Sequence, residues 1–283
     1  MPWGELALNT LALLAYPGAA ATLAFGLAAE GVAGRVLGPS RRLLPGLRSR
    51  PRGTALPPLA AAAALLTLLS STQLAAPFNP LAATQRNLLV ATVALASATW
   101  LTWAWGWSRG SGDARLSLVA QACWLVALLA PALVSQTLRP QVLGAVVLPA
   151  QLALKVVAGT LFLLCLPVLL QLLPQAAPQG APGAVVLDPS GEQAGFAAVR
   201  VLLWMPQCGL FASVFFPGGE DAFGLLRFLV STLAAAAVAI ALALVVTRWR
   251  PAWAPVLYFR LVPPLVALAL LLAVAVAVYT EAL

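Results

Sequence analysis

Few side chains in this sequence could carry charge or move protons within its long apolar stretches. Glu30 closes the first of these stretches, and Lys155, the single lysine of the chain, lies inside the fifth. Ionisable residues are costly among apolar neighbours in a membrane, so they usually mark a pathway, a polar cavity or a partner contact. Glu30 is therefore either an interfacial charge or the mouth of a proton path. Lys155 either faces a polar cavity in this or a partner subunit, or snorkels from a tilted helix.

The sequence offers little other chemistry. It has no histidine, which excludes sites built on histidine ligands and proton shuttles that use imidazole. Cys123, Cys165 and Cys208 stand singly in apolar stretches without CxxC spacing, which indicates buried packing rather than a metal site. Arg200 and Arg227 lie near the ends of apolar stretches, where snorkelling is the simpler interpretation. We therefore predict no catalytic, cofactor or metal site in this chain.

None of the apolar stretches has an internal Asp or Glu. The polar residues inside them are mainly uncharged. Proton relays through membranes usually run on carboxylates. The amides are therefore predicted mainly to hydrogen-bond between helices, with the ordering of water as the alternative. They are Gln73, Gln121, Gln151, Gln171, Gln207 and Asn9.

The composition predicts which elements must position these residues. Hydrophobic residues make up 62% of the 283 residues and charged residues only 8%, with a mean hydropathy of +0.96. A soluble domain carries roughly 25% charged residues to keep its surface wet. The solvent for most of this surface must therefore be lipid. The net charge of +8 does not indicate nucleic acid, because the basic residues lie mainly in short loops between apolar stretches rather than beside aromatics on one wet face.

Eight stretches reach the length of about 20 residues that a spanning helix needs. We expect an all-α integral membrane protein that forms one polytopic domain over residues 1–283. The first stretch lacks a basic region before it, so it reads as a mature helix rather than a cleaved signal. The fifth is too long for a straight helix and has Pro149 and Pro167 as natural kink points. The predicted spans are 6–29, 56–76, 88–107, 115–135, 143–173, 195–216, 225–247 and 257–279.

The charges of the loops predict the orientation. Positive residues concentrate in alternate loops, which places those loops in the cytoplasm and both termini on the outer side of the inner (cytoplasmic) membrane. The opposite loops contain only Arg86 and Arg139, together with Glu220 and Asp221. Two cytoplasmic loops are long, 30–55 and 174–194. The basic residues of the cytoplasmic loops are Arg35, Arg41, Arg42, Arg48, Arg50, Arg52, Arg109, Arg115, Arg248 and Arg250.

Three short segments, in register with this topology, carry a family resemblance. In the first, Glu30 is followed by Gly34-Arg35 and then by Gly38-Pro39-Ser40-Arg41. The second is Gly106-Trp107-Ser108-Arg109-Gly110-Ser111, with Arg115 and Ala120-Gln121 behind it. The third is Arg248-Trp249-Arg250-Pro251, followed by Phe259-Arg260 and Pro263-Pro264. The chain resembles subunit 1 or H of respiratory complex I (NADH-quinone oxidoreductase) and the equivalent subunits of formate hydrogenlyase and energy-converting (group 4) hydrogenases.

The resemblance implies a non-catalytic membrane subunit that connects a soluble electron-transfer arm, which carries the iron–sulfur clusters, to antiporter-like ion-translocating subunits. It implies docking of the arm on the cytoplasmic face. We expect any proton path or coupling role to involve Glu30, Lys155, Asp188 and Glu192. The docking residues are expected to be Arg35, Gly38, Pro39, Arg41, Arg42, Arg109 and Arg115.

This sequence also departs from the family pattern. Val126 stands where complex I members have a glutamate, and the acidic third cytoplasmic loop is reduced to Asp188, Glu192 and prolines. These departures weigh against quinone binding and proton conduction in this subunit. A stand-alone transporter is the alternative, although no second interrupted helix pairs with the fifth stretch. A lipid-handling enzyme would need an interfacial carboxylate, histidine or metal constellation that the sequence lacks.

Overall fold

The computed structural model describes residues 3–38, 58–108, 114–144, 149–173, 192–216, 218–249 and 261–281. The regular structure of these residues is helical, with ten α-helices and one short 3-10 helix, Ala83–Gln85. The α-helices are α1 Trp3–Leu14, α2 Ala19–Val36, α3 Pro58–Thr72, α4 Leu88–Ser108, α5 Ala114–Val134, α6 Pro140–Leu143, α7 Pro149–Leu169, α8 Glu192–Phe215, α9 Ala222–Trp249 and α10 Val262–Glu281.

Most of these helices are apolar enough for a bilayer. Six segments of the described chain have both the length and the hydropathy to cross it, and two shorter apolar helices, Pro58–Thr72 and Leu88–Ala104, accompany them. The apolar helix α4 continues to Ser108, which gives it 21 residues and a length of about 31 Å at 1.5 Å per residue. The prediction of an all-helical membrane protein is confirmed.

The first apolar stretch is not one helix, contrary to the prediction. The segment Ala15–Gly18 separates α1 from α2, because Pro17 removes a backbone donor and its ring clashes with the preceding turn. The chain then packs so closely on α1 that a Cβ at Gly18 would collide with the carbonyl oxygen of Leu13. At its other end α2 stops before Gly38, whose φ of +107° suits glycine and ends the helix.

The fifth apolar stretch is also divided. The short helix α6 precedes α7, and Pro149 is the first residue of α7 rather than a kink within it. A proline costs little at this position because the first helical N–H has no partner within the helix. Pro167 does lie inside α7, close to its carboxyl end.

Helix α8 is the central element of the bundle. It packs against α2, α3 and α9, and its fully buried side chains include Leu203, Trp204 and Cys208. A Cβ at Gly26 of α2 would collide with the carbonyl oxygen of Val201, so the two helix backbones are in direct contact. All three cysteines are buried and free, as expected for packing residues.

Contacts at the helix ends define two sides of the bundle. Ser213 accepts a hydrogen bond from the Ala75 amide at 3.0 Å, and the Leu88 amide donates to the Leu138 carbonyl at 2.8 Å. We call this the outer end, following the predicted orientation. At the opposite, inner end, the amide of Gln171 lies 3.4 Å from the Thr102 hydroxyl.

Candidate functional site

Glu30 is the buried carboxylate of the inner half of the bundle. It lies one turn after Gly26 on α2, and its side chain is only 5% exposed. Arg200 Nη2 donates to one carboxylate oxygen at 2.8 Å, and Trp204 Nε1 donates to the other at 2.7 Å. Both oxygens are therefore bound, and the negative charge is neutralised by an arginine from another helix. We call these three residues the Glu30 cluster.

The local sequence explains why the Glu30 cluster forms. Arg200 and Trp204 are four residues apart on α8, so they project from one face of that helix. The close approach of α2 at Gly26 brings this face against Glu30. A carboxylate removed from water needs partners of this kind, because an unpaired buried charge costs several kcal/mol.

Arg200 has a different role from the predicted one. We expected it to snorkel toward the membrane surface, but it forms the ion pair with Glu30. Its side chain is 21% exposed, and its Nε is buried without a hydrogen-bond partner among the described residues. The sequence did contain a sign of this ion pair. Glu30 follows the first apolar stretch, and Arg200 lies four residues before Trp204 in a later stretch.

A row of neutral polar side chains follows the Glu30 cluster into the bundle. Gln207, one turn beyond Trp204, lies 3.4 Å from the Thr99 hydroxyl, which donates to the Leu95 carbonyl at 2.8 Å. Gln121 of α5 is a further buried amide, and neither of its amide atoms has a hydrogen-bond partner within the described chain. The contact of Gln207 is one of the interhelical contacts predicted for the amides. The row contains amides and hydroxyls where a proton relay would use carboxylates.

Lys155 is buried, but it is not near Glu30. It lies six residues into α7, which starts at the outer end, whereas Glu30 lies six residues before the inner end of α2. The Lys155 ammonium donates to the carbonyl of Leu143, the last residue of α6. A cation at the carboxyl end of a helix stabilises that helix end, so this contact ties α6 to α7.

The other predicted site residues are placed as follows. Arg35 at the end of α2 and Arg115 at the start of α5 are exposed, and Gly38 ends α2. Glu192 is the first residue of α8, two turns before Arg200. The remaining predicted residues lie outside the described residues. They are Pro39, Arg41, Arg42, Arg109 and Asp188.

A further buried charge, besides Glu30 and Lys155, lies at the outer end. Arg86 is 3% exposed and belongs to the irregular segment between α3 and α4. Its Nε donates to the Leu81 carbonyl at 2.9 Å and its Nη2 to the Asn79 carbonyl at 3.2 Å. With the Gln141 amide oriented so that its oxygen faces the guanidinium, that oxygen accepts from Arg86 Nη1 at 2.6 Å. We call Arg86 and these partners the Arg86 cluster.

The Arg86 cluster also contains a weak ion pair. Glu220 lies 3.8 Å from Arg86, but its side chain is 71% exposed. Burial lowers the pKa of the Arg86 guanidinium, and the charge of Glu220 partly offsets this effect. In the sequence Arg86 is only a loop charge, and its burial is visible only in the fold.

The fold of this chain is similar to that of a solved membrane protein. No family model matches the chain, and no curated protein matches its sequence. Among solved structures, a chain from the membrane-bound sulfane sulfur reductase, described as an archaeal respiratory membrane complex, is similar over 96% of this chain and 98% of its own length. The TM-score is 0.61 at 14% sequence identity. The protein is thus a multi-pass membrane protein with the fold of a chain from a respiratory membrane complex.

Proposed function

We propose that this chain is the non-catalytic membrane subunit of a complex I-like or energy-converting-hydrogenase-like redox complex. It would connect a soluble electron-transfer arm to antiporter-like, ion-translocating subunits in the inner membrane. The observation that carries the proposal is the similarity in fold, over nearly the whole chain, to a chain of a respiratory membrane complex. The three sequence segments that resemble the complex I subunit support it independently.

The inner end supplies the docking surface for the soluble arm in this proposal. Arg35 and Arg115 are exposed at the ends of α2 and α5, on the side of the bundle where Glu30 lies. Arginine forms bidentate pairs with carboxylates, which suits an acidic surface on the arm. Arg41, Arg42 and Arg109 would extend this basic surface, and the iron–sulfur clusters would belong to the docked subunits.

The Glu30 cluster is our candidate for the coupling element. It lies within the inner half of the bundle, close to the proposed docking surface, and its ion pair joins two helices through side chains alone. A movement of the arm that separates α2 from α8 would free the Glu30 carboxylate to bind a proton. Lys155, Asp188 and Glu192 remain further candidates, and Lys155 is the weaker one because it lies toward the outer end.

Co-purification tests the proposed assembly. An affinity tag on the chain, expressed in its native membrane, should recover iron–sulfur proteins and antiporter-like membrane subunits. The double charge reversal Arg35→Glu with Arg115→Glu should release the soluble subunits while the membrane subunits stay bound. Arg139→Glu, an exposed arginine at the outer end, is the matched control and should release nothing. A chain that purifies alone and transports a solute would instead support the stand-alone transporter.

Ion translocation by the purified complex tests the coupling role. Glu30→Gln keeps the size of the side chain and one acceptor oxygen, but it replaces the other oxygen with an NH2 donor and removes the ionisable group. We expect it to abolish translocation while electron transfer continues. Lys155→Ala serves as the comparison, and unchanged translocation in that variant would remove Lys155 from the coupling residues. Full translocation by Glu30→Gln would refute the coupling role of Glu30 without affecting the proposed assembly.

A further inference from the structure

The bundle covers only the last turn of α1. Ala12 is buried and Leu13 is half-buried, whereas Leu8 and Asn9 are exposed. Residues 8 and 9 lie one turn before residues 12 and 13, on the same side of the helix. A helix packed along the bundle would bury both turns. Helix α1 therefore diverges from the bundle after its carboxyl-terminal turn.

The position of the turn between α1 and α2 shows where α1 begins to diverge. The 18 residues of α2 reach about 27 Å from the inner end, close to the roughly 30 Å of the hydrocarbon core. Tyr16, within the turn, interacts electrostatically with Arg86 of the outer end. With 12 residues, α1 is about 18 Å long and cannot cross the bilayer. It starts from the outer membrane surface and is too short to reach the other one.

The residues of α1 are distributed as in an interfacial helix. Glu5 and Asn9 are four residues apart, and Asn9 has no hydrogen-bond partner among the described residues. An unpaired amide in hydrocarbon costs several kcal/mol, whereas the headgroup region hydrates it. Another side of the helix is an exposed, mainly apolar face. It is formed by Leu6, Ala7, Thr10, Leu11 and Leu14.

We propose that α1 lies along the outer membrane–water interface and binds the lipid surface as an amphipathic anchor. Its apolar face rests on the acyl chains, and Asn9 faces the headgroups. Lipid is the occupant because this apolar face continues the lipid-facing surface of the neighbouring helices. Leu23 and Leu27 of α2 and Leu69, near the outer end of α3, are exposed in the same way. The proposal does not depend on the proposed function of the chain.

Depth measurements with spin labels test this placement. Single labels at Leu6, Asn9 and Leu11 would be introduced into the full chain, which would be reconstituted in phosphatidylcholine–phosphatidylglycerol vesicles. The native cysteines are buried and leave the introduced thiols as the labelling sites. Power saturation with oxygen and with a water-soluble nickel chelate then reports depth. Labels at Leu23 and Leu27 of α2, separated by about 6 Å along a spanning helix, calibrate the scale.

The expected result is a shallow, nearly equal depth for Leu6 and Leu11, about 5–10 Å below the headgroups. The Asn9 label should be more accessible to the nickel chelate than either of them. A depth difference of about 7.5 Å between Leu6 and Leu11 would show a helix that enters the bilayer and would overturn the proposal. Loss of access to both reagents at all three positions would also overturn it, because a partner subunit would then cover α1.

Discussion

The Glu30 cluster and the Arg86 cluster lie toward opposite ends of α8, and different groups compensate their buried charges. The Glu30 cluster lies at Arg200 of this helix. The Arg86 cluster lies near Ser213, which accepts a hydrogen bond from the segment that contains Arg86. Arg200 and Ser213 are about 20 Å apart along the helix axis. Glu30 is bound by two side chains of another helix. Arg86 is bound by main-chain carbonyls of its own segment and by the Gln141 amide.

The partners of each charge indicate its role. The segment 73–87 is mostly irregular and only partly buried, and its irregular backbone cannot satisfy itself as an α-helix does. Arg86 and Asn79 supply the missing partners, with Asn79 donating to the carbonyls of Thr72 and Leu74. That is a structural task. The Glu30 carboxylate is bound by side chains of α8, so its two hydrogen bonds compensate a charge and link two helices rather than satisfy a stretch of backbone.

Replacement of Arg86 should cause the largest loss of stability. Arg86→Met leaves buried carbonyls and the Gln141 amide without a donor, and we expect a loss of about 3–5 kcal/mol. Reaction of the buried cysteines with a maleimide during denaturant unfolding measures this change. Arg139→Met removes an exposed arginine from the same end and should be nearly neutral. Equal effects of the two variants would contradict the structural role of Arg86.

Replacement of Glu30 by alanine should cost somewhat less, about 3 kcal/mol. It strips Arg200 and Trp204 of their acceptor, but Arg200 is partly exposed and can recruit water. The same unfolding assay on Glu30→Ala, Arg200→Ala and the double variant gives their interaction energy. We expect about 1–3 kcal/mol in favour of the pair. Additive single effects would show that the two residues do not interact in the protein.

The tryptophan hydrogen bond can be isolated with a matched pair of variants. Trp204→Phe and Trp124→Phe both shorten a fully buried ring, but Trp124 Nε1 has no hydrogen-bond partner in the described structure. Trp204→Phe should therefore be more destabilising by about 1.5 kcal/mol, the value of a hydrogen bond to a charged group. The difference in unfolding free energy between the two variants is the quantity to measure. A difference near zero would remove Trp204 from the Glu30 cluster.

Glu220 should contribute least. Its carboxylate is mostly exposed and 3.8 Å from Arg86, so solvent screens the attraction. We expect Glu220→Gln to change the unfolding free energy by less than about 0.5 kcal/mol. A loss comparable with that of Arg86→Met would mean that the ion pair, rather than the main-chain carbonyls, holds the Arg86 cluster together.

Composition and spacing determined the membrane class, the helical fold and the choice of Glu30 and Lys155 as notable residues. These conclusions depend on how many apolar residues occur in sequence, which is a local property. Pro17 is visible in the sequence as a helix breaker, but the prediction of a single helix used only the length of the first apolar stretch. Both ionisable residues proved to be buried.

Only the tertiary structure decided which partner each charge has. Glu30 and Arg200 are 170 residues apart in sequence, and no periodicity within one stretch relates them. Their pairing depends on the contact of α2 with α8 at Gly26 and Val201. Arg86 looked like a surface charge because it lies in a loop, yet that loop folds into the bundle and needs a donor there. The sequence by itself identified where charge is unusual, and the packing of helices determined what each charge does.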